Sequence, residues 1–251
     1  MIPKIVHYAW FGSPLPISVK RRVEEWKQQL PEWEFRLWSE DNFDLSRFGF
    51  SKEMYDSGKL GYAADELRYE VLRRYGGFYF DTDMIVKKPL DTLLNYRMVW
   101  GFQYDNSLLT SFFGSEPGMP LLDSILKVYA NEKYPDLHSD LYEMTSNPFV
   151  TKIFLREFER FRTDGTRQSL TDGIEVFPRD YFSYPSRNLK ANYMEHLFDN
   201  SWGDSNLGIK GRFKAVFKRV SPFLWAEISA RRGIRSAEDD GVPHMKPIHR
   251  D

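Results

Sequence analysis

The chain predicts an α/β fold, a mostly parallel sheet flanked by helices, with a basic helical appendage at its C-terminal end. Three observations carry this expectation. Residues 5–38 read as strand, helix and strand at the spacing of a βαβ unit, whose crossover is right-handed and whose strands run parallel. A second amphipathic helix passes through a glycine pair straight into the apolar run Phe78-Tyr79-Phe80. The stretch 207–235 then holds eight Lys and Arg against the single acid Glu227.

Each element has its own signal. Ile5 to Phe11 is an apolar run closed by Gly12, Pro14 and Pro16, the pattern of a buried strand entering a loop. Val19, Val23, Trp26 and Leu30 recur at helical spacing until Pro31 stops the helix. Trp33, Phe35 and Leu37 alternate with Glu34, Arg36 and Trp38, the period of a strand. Leu60, Ala63, Ala64, Leu67, Val71, Leu72 and Tyr75 form one helical stripe ended by Gly76-Gly77. The strand that follows runs into Asp81-Thr82-Asp83 before Met84-Ile85-Val86 resumes the apolar character. Further strands are predicted at 98–102, 110–114 and 174–177, and helices at 119–129 and 150–161. Repeats, low-complexity tracts and linkers are absent from the sequence, so residues 1–206 read as one domain and 207–251 as a basic amphipathic appendage and tail.

Composition excludes several function classes. With 251 residues, 41% of them hydrophobic, the chain can build one substantial core. A formal net charge of −1 gives no overall field for capturing nucleic acid, so no nucleic-acid partner is expected. The absence of cysteine removes disulfides, thiolate nucleophiles and cysteine-held metals, and a cytoplasmic location is the expectation. The first ten residues lack a basic start followed by an apolar stretch, and no run of about 18 apolar residues exists, so any membrane contact is expected to be peripheral. Between 207 and 235, Phe213, Phe217, Phe223, Leu224 and Trp225 interleave with the basic residues. Two readings stand: an anionic membrane surface, at the inner face of the plasma membrane, or a terminal helix packed on the domain.

Asp81 and Asp83 sit at the carboxyl end of a strand, where open α/β sheets place their ligands. Asp65 and Arg68 are three apart on the preceding helix and share a face, so the glycine turn brings four polar side chains toward one cleft. Taken alone, each pair reads equally as solvated surface or a helical ion pair. Such carboxylates suit a hard divalent cation, Mn²⁺ or Mg²⁺, which keeps an octahedral oxygen shell with few protein ligands.

The strings Gly61-Tyr62-Ala63-Ala64-Asp65-Glu66-Leu67-Arg68-Tyr69 and Tyr75-Gly76-Gly77-Phe78-Tyr79-Phe80-Asp81-Thr82-Asp83 resemble the sugar-binding region of glycosyltransferase family 32. That family includes yeast-type mannosyltransferases and bacterial capsule and lipopolysaccharide enzymes, and it is related to large glucosylating toxins. Pro3 to Trp10 and Trp33 to Trp38 resemble its first two strands, and His196 with Ser201-Trp202 resembles its closing element, so the similarity covers about residues 1–205.

The resemblance implies a GT-A fold and a metal-dependent, retaining transfer of a hexose from a nucleotide-diphospho-sugar. The donor is a UDP-sugar, favoured, or GDP-mannose, and the acceptor a glycan or lipid-linked oligosaccharide. It implies that Trp10, with Ala9, holds the donor base, that Asp65 and Arg68 hold the sugar, and that Tyr79 lies against the ribose. Asp81 then bridges ribose and metal, Asp83 ligates the metal, His196 is a further ligand or phosphate contact, and Asn200, Ser201 and Trp202 close over the diphosphate. Acceptor contacts are expected from the loops Asp105 to Thr110 and Ser146 to Val150. Without the resemblance, Trp10 reads as core and His196 as a surface histidine; Trp26, Trp33, Trp38 and Trp100 read as packing.

A haloacid-dehalogenase-type phosphatase also carries Asp-x-Asp after a strand, but Ile85 stands where its motif wants Thr or Val. An inert sugar-binding relative is the other alternative, and both carboxylates being present speaks against it.

Overall fold

A computed structural model describes residues 1–198 and 216–247. Asn200, Ser201 and Trp202, with Lys210, Arg212 and Lys214 and the 206/207 boundary, lie outside the described residues.

The chain opens with β1 (Ile5–Ala9), α1 (Ile17–Gln29) and β2 (Glu34–Trp38), then α2 (Gly49–Asp56), α3 (Leu60–Ala63), α4 (Asp65–Tyr75) and β3 (Gly77–Phe80). There follow β4 (Met84–Val86), β5 (Met98–Tyr104), β6 (Ser107–Leu108), β7 (Phe112–Ser115), α5 (Pro120–Tyr129), α6 (Pro135–Asp140) and α7 (Ser146–Glu157). The last elements are β8 (Gln168–Ser169), β9 (Ile174–Phe177), α8 (Arg179–Phe182), β10 (Met194–His196) and a C-terminal helix, Pro222–Asp239. The main sheet has the order β2-β1-β3-β7-β5-β9-β8, with β6 paired to β5. β1 runs parallel to β2 and β3, and β5 parallel to β9, whereas β7 is antiparallel between β3 and β5.

Both faces of this sheet are covered, and the strand alternation divides the core accordingly. Val6, Tyr8, Phe78, Phe80, Val99 and Phe112 pack on the α1 side. Ala9, Tyr79, Met98, Trp100, Phe102 and Phe113 pack on the side of α4, α5 and α7. The parallel β1–β3 pair needs close backbone approach at the entry to β3. Gly77 has φ +97°, and a Cβ there would stand 2.5 Å from the carbonyl oxygen of Ile5, which excludes other residues.

Three predicted elements are corrected. The stripe from Leu60 to Tyr75 is two helices, α3 ending and α4 starting at the shared cap Ala64, whose ψ of −2° opens the helical ladder there. Met84–Val86 leaves the main sheet and pairs antiparallel with β10. The helix placed at 150–161 begins at Ser146 and stops at Glu157, because Phe158 is already extended.

His7 shows how tightly the β1–β2 corner is specified. Its Nε2–H donates to the carbonyl oxygen of Gly76 at 2.9 Å, and its Nδ1 accepts from the Trp38 indole at 3.0 Å, which fixes the neutral ring. Burial lowers its pKa to about 4 from 6.5, outweighing the Gly76 contact. Protonation thus favours the unfolded chain. The stability that the neutral ring contributes is complete above pH 6.5 and is lost as pH falls toward 4, about 3 kcal/mol in all. Thermal melts of wild type and His7→Gln across this window should converge toward low pH; parallel curves would remove His7 as the cause.

The C-terminal helix packs on the domain. Trp225 contacts Tyr184 and Phe198, the Asn106 amide donates to the carbonyl of Ile234, and Arg179 binds Glu227 at 2.8 Å. Among the described residues no helix is long and apolar enough to cross a membrane.

Candidate active site

The break at Ala64 starts α4 at Asp65, so Asp65 and Arg68 occupy its first turn, at the carboxyl ends of β1 and β3. Asp65 Oδ1 lies 2.8 Å from the Arg68 guanidinium, and both side chains are only 4% exposed. The same guanidinium reaches Asp81 at 3.8 Å, donates to the Thr110 carbonyl at 3.1 Å and sits 5.1 Å from the centre of the Tyr79 ring. Burial pushes the Asp65 carboxyl up against the pull of Arg68. The guanidinium itself is held charged, its burial outweighed by Asp65 and Asp81.

The Asp81-Thr82-Asp83 turn is clamped from two sides. Arg22 of α1 donates to the Thr82 carbonyl at 2.9 Å and the Trp26 indole to that of Met84 at 2.8 Å. The amide of Leu197 donates to the Asp83 carbonyl at 3.0 Å, a consequence of the β4–β10 pairing. That pairing also sets His196 Nε2 3.1 Å from Asp83 Oδ2. Burial disfavours the charged imidazole, but Asp83 and then Asp81 outweigh it and raise its pKa. The side chain of Asp81 is 30% exposed and opens to the cleft.

These groups line one cleft of about 710 Å³. Asp65, Arg68, Tyr79, Asp81, Asp83, His196 and Ala9 all border it. Trp10 does not border it. Side chains alternate along β1, so Trp10 turns into the α1-side core while Ala9 and Phe11 face the cleft. Phe11 was legible in that alternation and was missed. Thr110 arrives from one of the two stretches expected to contact an acceptor; Ser146 and Asn147 come from the other, which is not a loop but the first turn of α7. Gln103, not anticipated, accepts from the Asn147 amide, whose oxygen takes the Thr110 amide at 3.0 Å and hydroxyl at 2.6 Å. The far wall is Lys59, Leu60 and Tyr62.

The lining holds three carboxylates, Asp65, Asp81 and Asp83, with Arg68 among them and Lys59 on the far wall. The Asp81 and Asp83 carboxylates, two apart on one turn, are oxygen donors of the kind a hard divalent cation takes. Among the described residues no group of three His, Asp or Glu converges to cage one, so a bound ion would draw further oxygens from a ligand or water. His196 Nε2 is taken by Asp83, which makes the imidazole a support for that carboxylate more than an open ligand.

The site is thus a DXD turn at the carboxyl end of a sheet strand, backed by an Asp–Arg pair in one cleft of an α/β protein. Comparisons with known proteins identify its family. Residues 16–100 match the family "Glycosyltransferase sugar-binding region containing DXD motif". An uncharacterized glycosyltransferase of Acanthamoeba polyphaga mimivirus is 30% identical over 222 residues, covering 80% of this chain and 84% of the relative. Inositol phosphoceramide mannosyltransferase 2 of Schizosaccharomyces pombe is 30% identical over 217 residues, 83% of this chain and 60% of the relative. Two further S. pombe mannosyltransferases are spanned over only 36% and 32% of their length. The chain belongs to this glycosyltransferase family. Its fold is of the GT-A type: a solved structure, PaToxG Glycosyltransferase, superposes with a TM-score of 0.51 at 14% identity, over 62% of this chain and 70% of that one.

Proposed function

We propose that this protein is a metal-dependent, retaining hexosyltransferase that takes its sugar from a nucleotide-diphospho-sugar. The observation that carries the reading is the convergence of Asp65, Arg68, Asp81 and Asp83 in one cleft at the end of β3. Asp83 and Asp81 would hold Mn²⁺ or Mg²⁺, which when bound neutralises the charge gathering on the departing diphosphate. Arg68 offers its guanidinium and Asp65 its carboxylate to sugar hydroxyls, and their mutual pairing fixes both in place. Ala9, Phe11 and Tyr79 wall the nucleoside end. Asn200, Ser201 and Trp202 keep the role of closing over the diphosphate.

The anomeric C–O bond to the diphosphate breaks, its electrons leaving with the phosphate oxygen, and the acceptor oxygen bonds to that carbon on the same face. The departing phosphate oxygen takes the acceptor proton. Asp65 is tied to Arg68 and acts as a hydrogen-bond acceptor, which favours this route over a covalent glycosyl-enzyme.

The names of the yeast relatives support mannose as the sugar and a lipid-borne acceptor. Trp10 turns into the α1-side core and offers no base platform, and with the mannose of the yeast relatives' names this makes GDP-mannose the first donor to test. The observations hold no specific support for the phosphatase.

Thermal shift with GDP-mannose, UDP-glucose and UDP-galactose, each with Mn²⁺ or EDTA, tests this. The true donor should stabilise only with metal, by about 2.7 kcal/mol at a hundredfold excess over its Kd. Mass spectrometry of the acceptor mixture should then show one added hexose. Stabilisation by phosphate esters with release of phosphate would overturn the reading.

A further inference from the structure

The C-terminal helix has two faces of different chemistry. Trp225, Ala226, Ala230, Gly233 and Ala237 are buried against the domain. At Gly233 a Cβ would lie 2.2 Å from the Tyr104 ring, so this face is fitted closely. The opposite face is open, and apolar in its first half. Leu224 is 55% exposed and Ile228 37%, and Val216 at 61% and Val220 at 74% are exposed on the turn just before the helix. Phe223, 40% exposed, lies beside Leu224 with Arg187 stacked at 4.6 Å.

Leu224 and Ile228 are one helical turn apart, and Arg231, Arg232 and Arg235 follow on the same face at helical spacing, all exposed; Val216 and Val220 belong to the helical turn before the break at Ser221. Arg219 is exposed at the other end. The one acid in the middle of the helix, Glu227, is held by Arg179 at 2.8 Å and Arg231 at 3.1 Å. Glu238 and Asp239 lie in the last turn, beyond Arg235.

A helix packed by one face ordinarily turns polar residues outward. Here the outward face carries Leu224 and Ile228 in its first half and Arg231, Arg232 and Arg235 in its second, ahead of Glu238 and Asp239, and this apolar-then-basic order suits the headgroup boundary of a bilayer. We propose that this face docks the protein on an anionic lipid surface, its apolar side chains in the headgroup–acyl boundary and its arginines on lipid phosphates. The same segment adjoins the cleft. Phe198, which borders the cleft, packs on Trp225 at 5.4 Å, and Lys218 donates to the carbonyl of Leu197. Docking thus holds the cleft near the membrane plane. The docking stands on the surface itself and does not depend on the transfer reaction.

The full chain should co-sediment with vesicles of phosphatidylcholine plus phosphatidylglycerol and not with phosphatidylcholine alone, and added salt should weaken binding. Arg231→Gln/Arg232→Gln/Arg235→Gln should lower the partition coefficient about 100-fold. Leu224→Ser/Ile228→Ser should lower it at least about 10-fold by removing inserted apolar area. All five positions are outward, so melting temperatures should stay at the wild-type value, and if one variant melts early the other carries the test. Equal binding to both vesicle types, or unchanged binding by a folded arginine variant, would overturn the proposal. So would a dimer in light scattering that Leu224→Ser/Ile228→Ser dissociates, because a second copy would then cover the face.

Discussion

Asp83→Asn should lower metal-dependent sugar transfer about 10³-fold while shifting the melting temperature by little. The turn that carries Asp83 is held by backbone groups: the Leu197 amide on its carbonyl, Arg22 on that of Thr82 and the Trp26 indole on that of Met84. None of these is lost in the variant, and an amide oxygen can still accept from His196. What disappears is a negative charge beside Asp81, and with it the affinity for a hard cation. Manganese titration by calorimetry should show the loss directly, and single-turnover transfer should fall with it. Transfer that persists at the wild-type rate and metal dependence would strike Asp83 from the binding set. His196→Gln should cost less, because it removes the support and keeps the carboxylate.

Arg68→Ala is expected to destabilise the fold by about 3–5 kcal/mol and to abolish transfer. Arg68 is buried with Asp65 at 2.8 Å, so its removal strands a carboxylate that is only 4% exposed. A buried ion pair costs much to dehydrate, and an apolar replacement of both partners avoids that cost. Asp65→Leu/Arg68→Met should therefore regain most of the lost stability in denaturant titration and none of the activity. This pairing separates function from folding: a double variant that stays unstable would make the pair structural, and one that transfers sugar would remove both residues from the site.

The candidate site was legible where its signal is local. Asp65 and Arg68 are three apart on a helix, and Gly76-Gly77 fixes the turn into β3, so their approach to Asp81 follows from spacing along the chain. The core tryptophans followed from periodicity, and Trp26 and Trp100 are buried. Trp10 shows the limit. An aromatic beside a strand end fits a base platform or a core, and the choice depends on which sheet face is open. The pleat sends Trp10 inward and Phe11 to the cleft.

Asp83 meets His196 across more than a hundred residues, through the β4–β10 pairing. The network of Gln103, Thr110 and Asn147 likewise joins β5, the segment before β7 and the first turn of α7. Neither has a spacing rule, because long-range pairing is set by how whole faces pack.

The sequence alone determined the α/β class, the βαβ start, the Asp–Arg helix face and the Asp-x-Asp strand end, all of which depend on periods of two and 3.6 residues and on glycine stereochemistry. The tertiary structure decided which side chains share the cleft, broke the helix at Ala64 to aim Asp65, and gave the C-terminal helix one packed and one open face. The physical reason is range. Backbone periodicity acts over a few residues, whereas burial is settled only when distant surfaces compete for the same core.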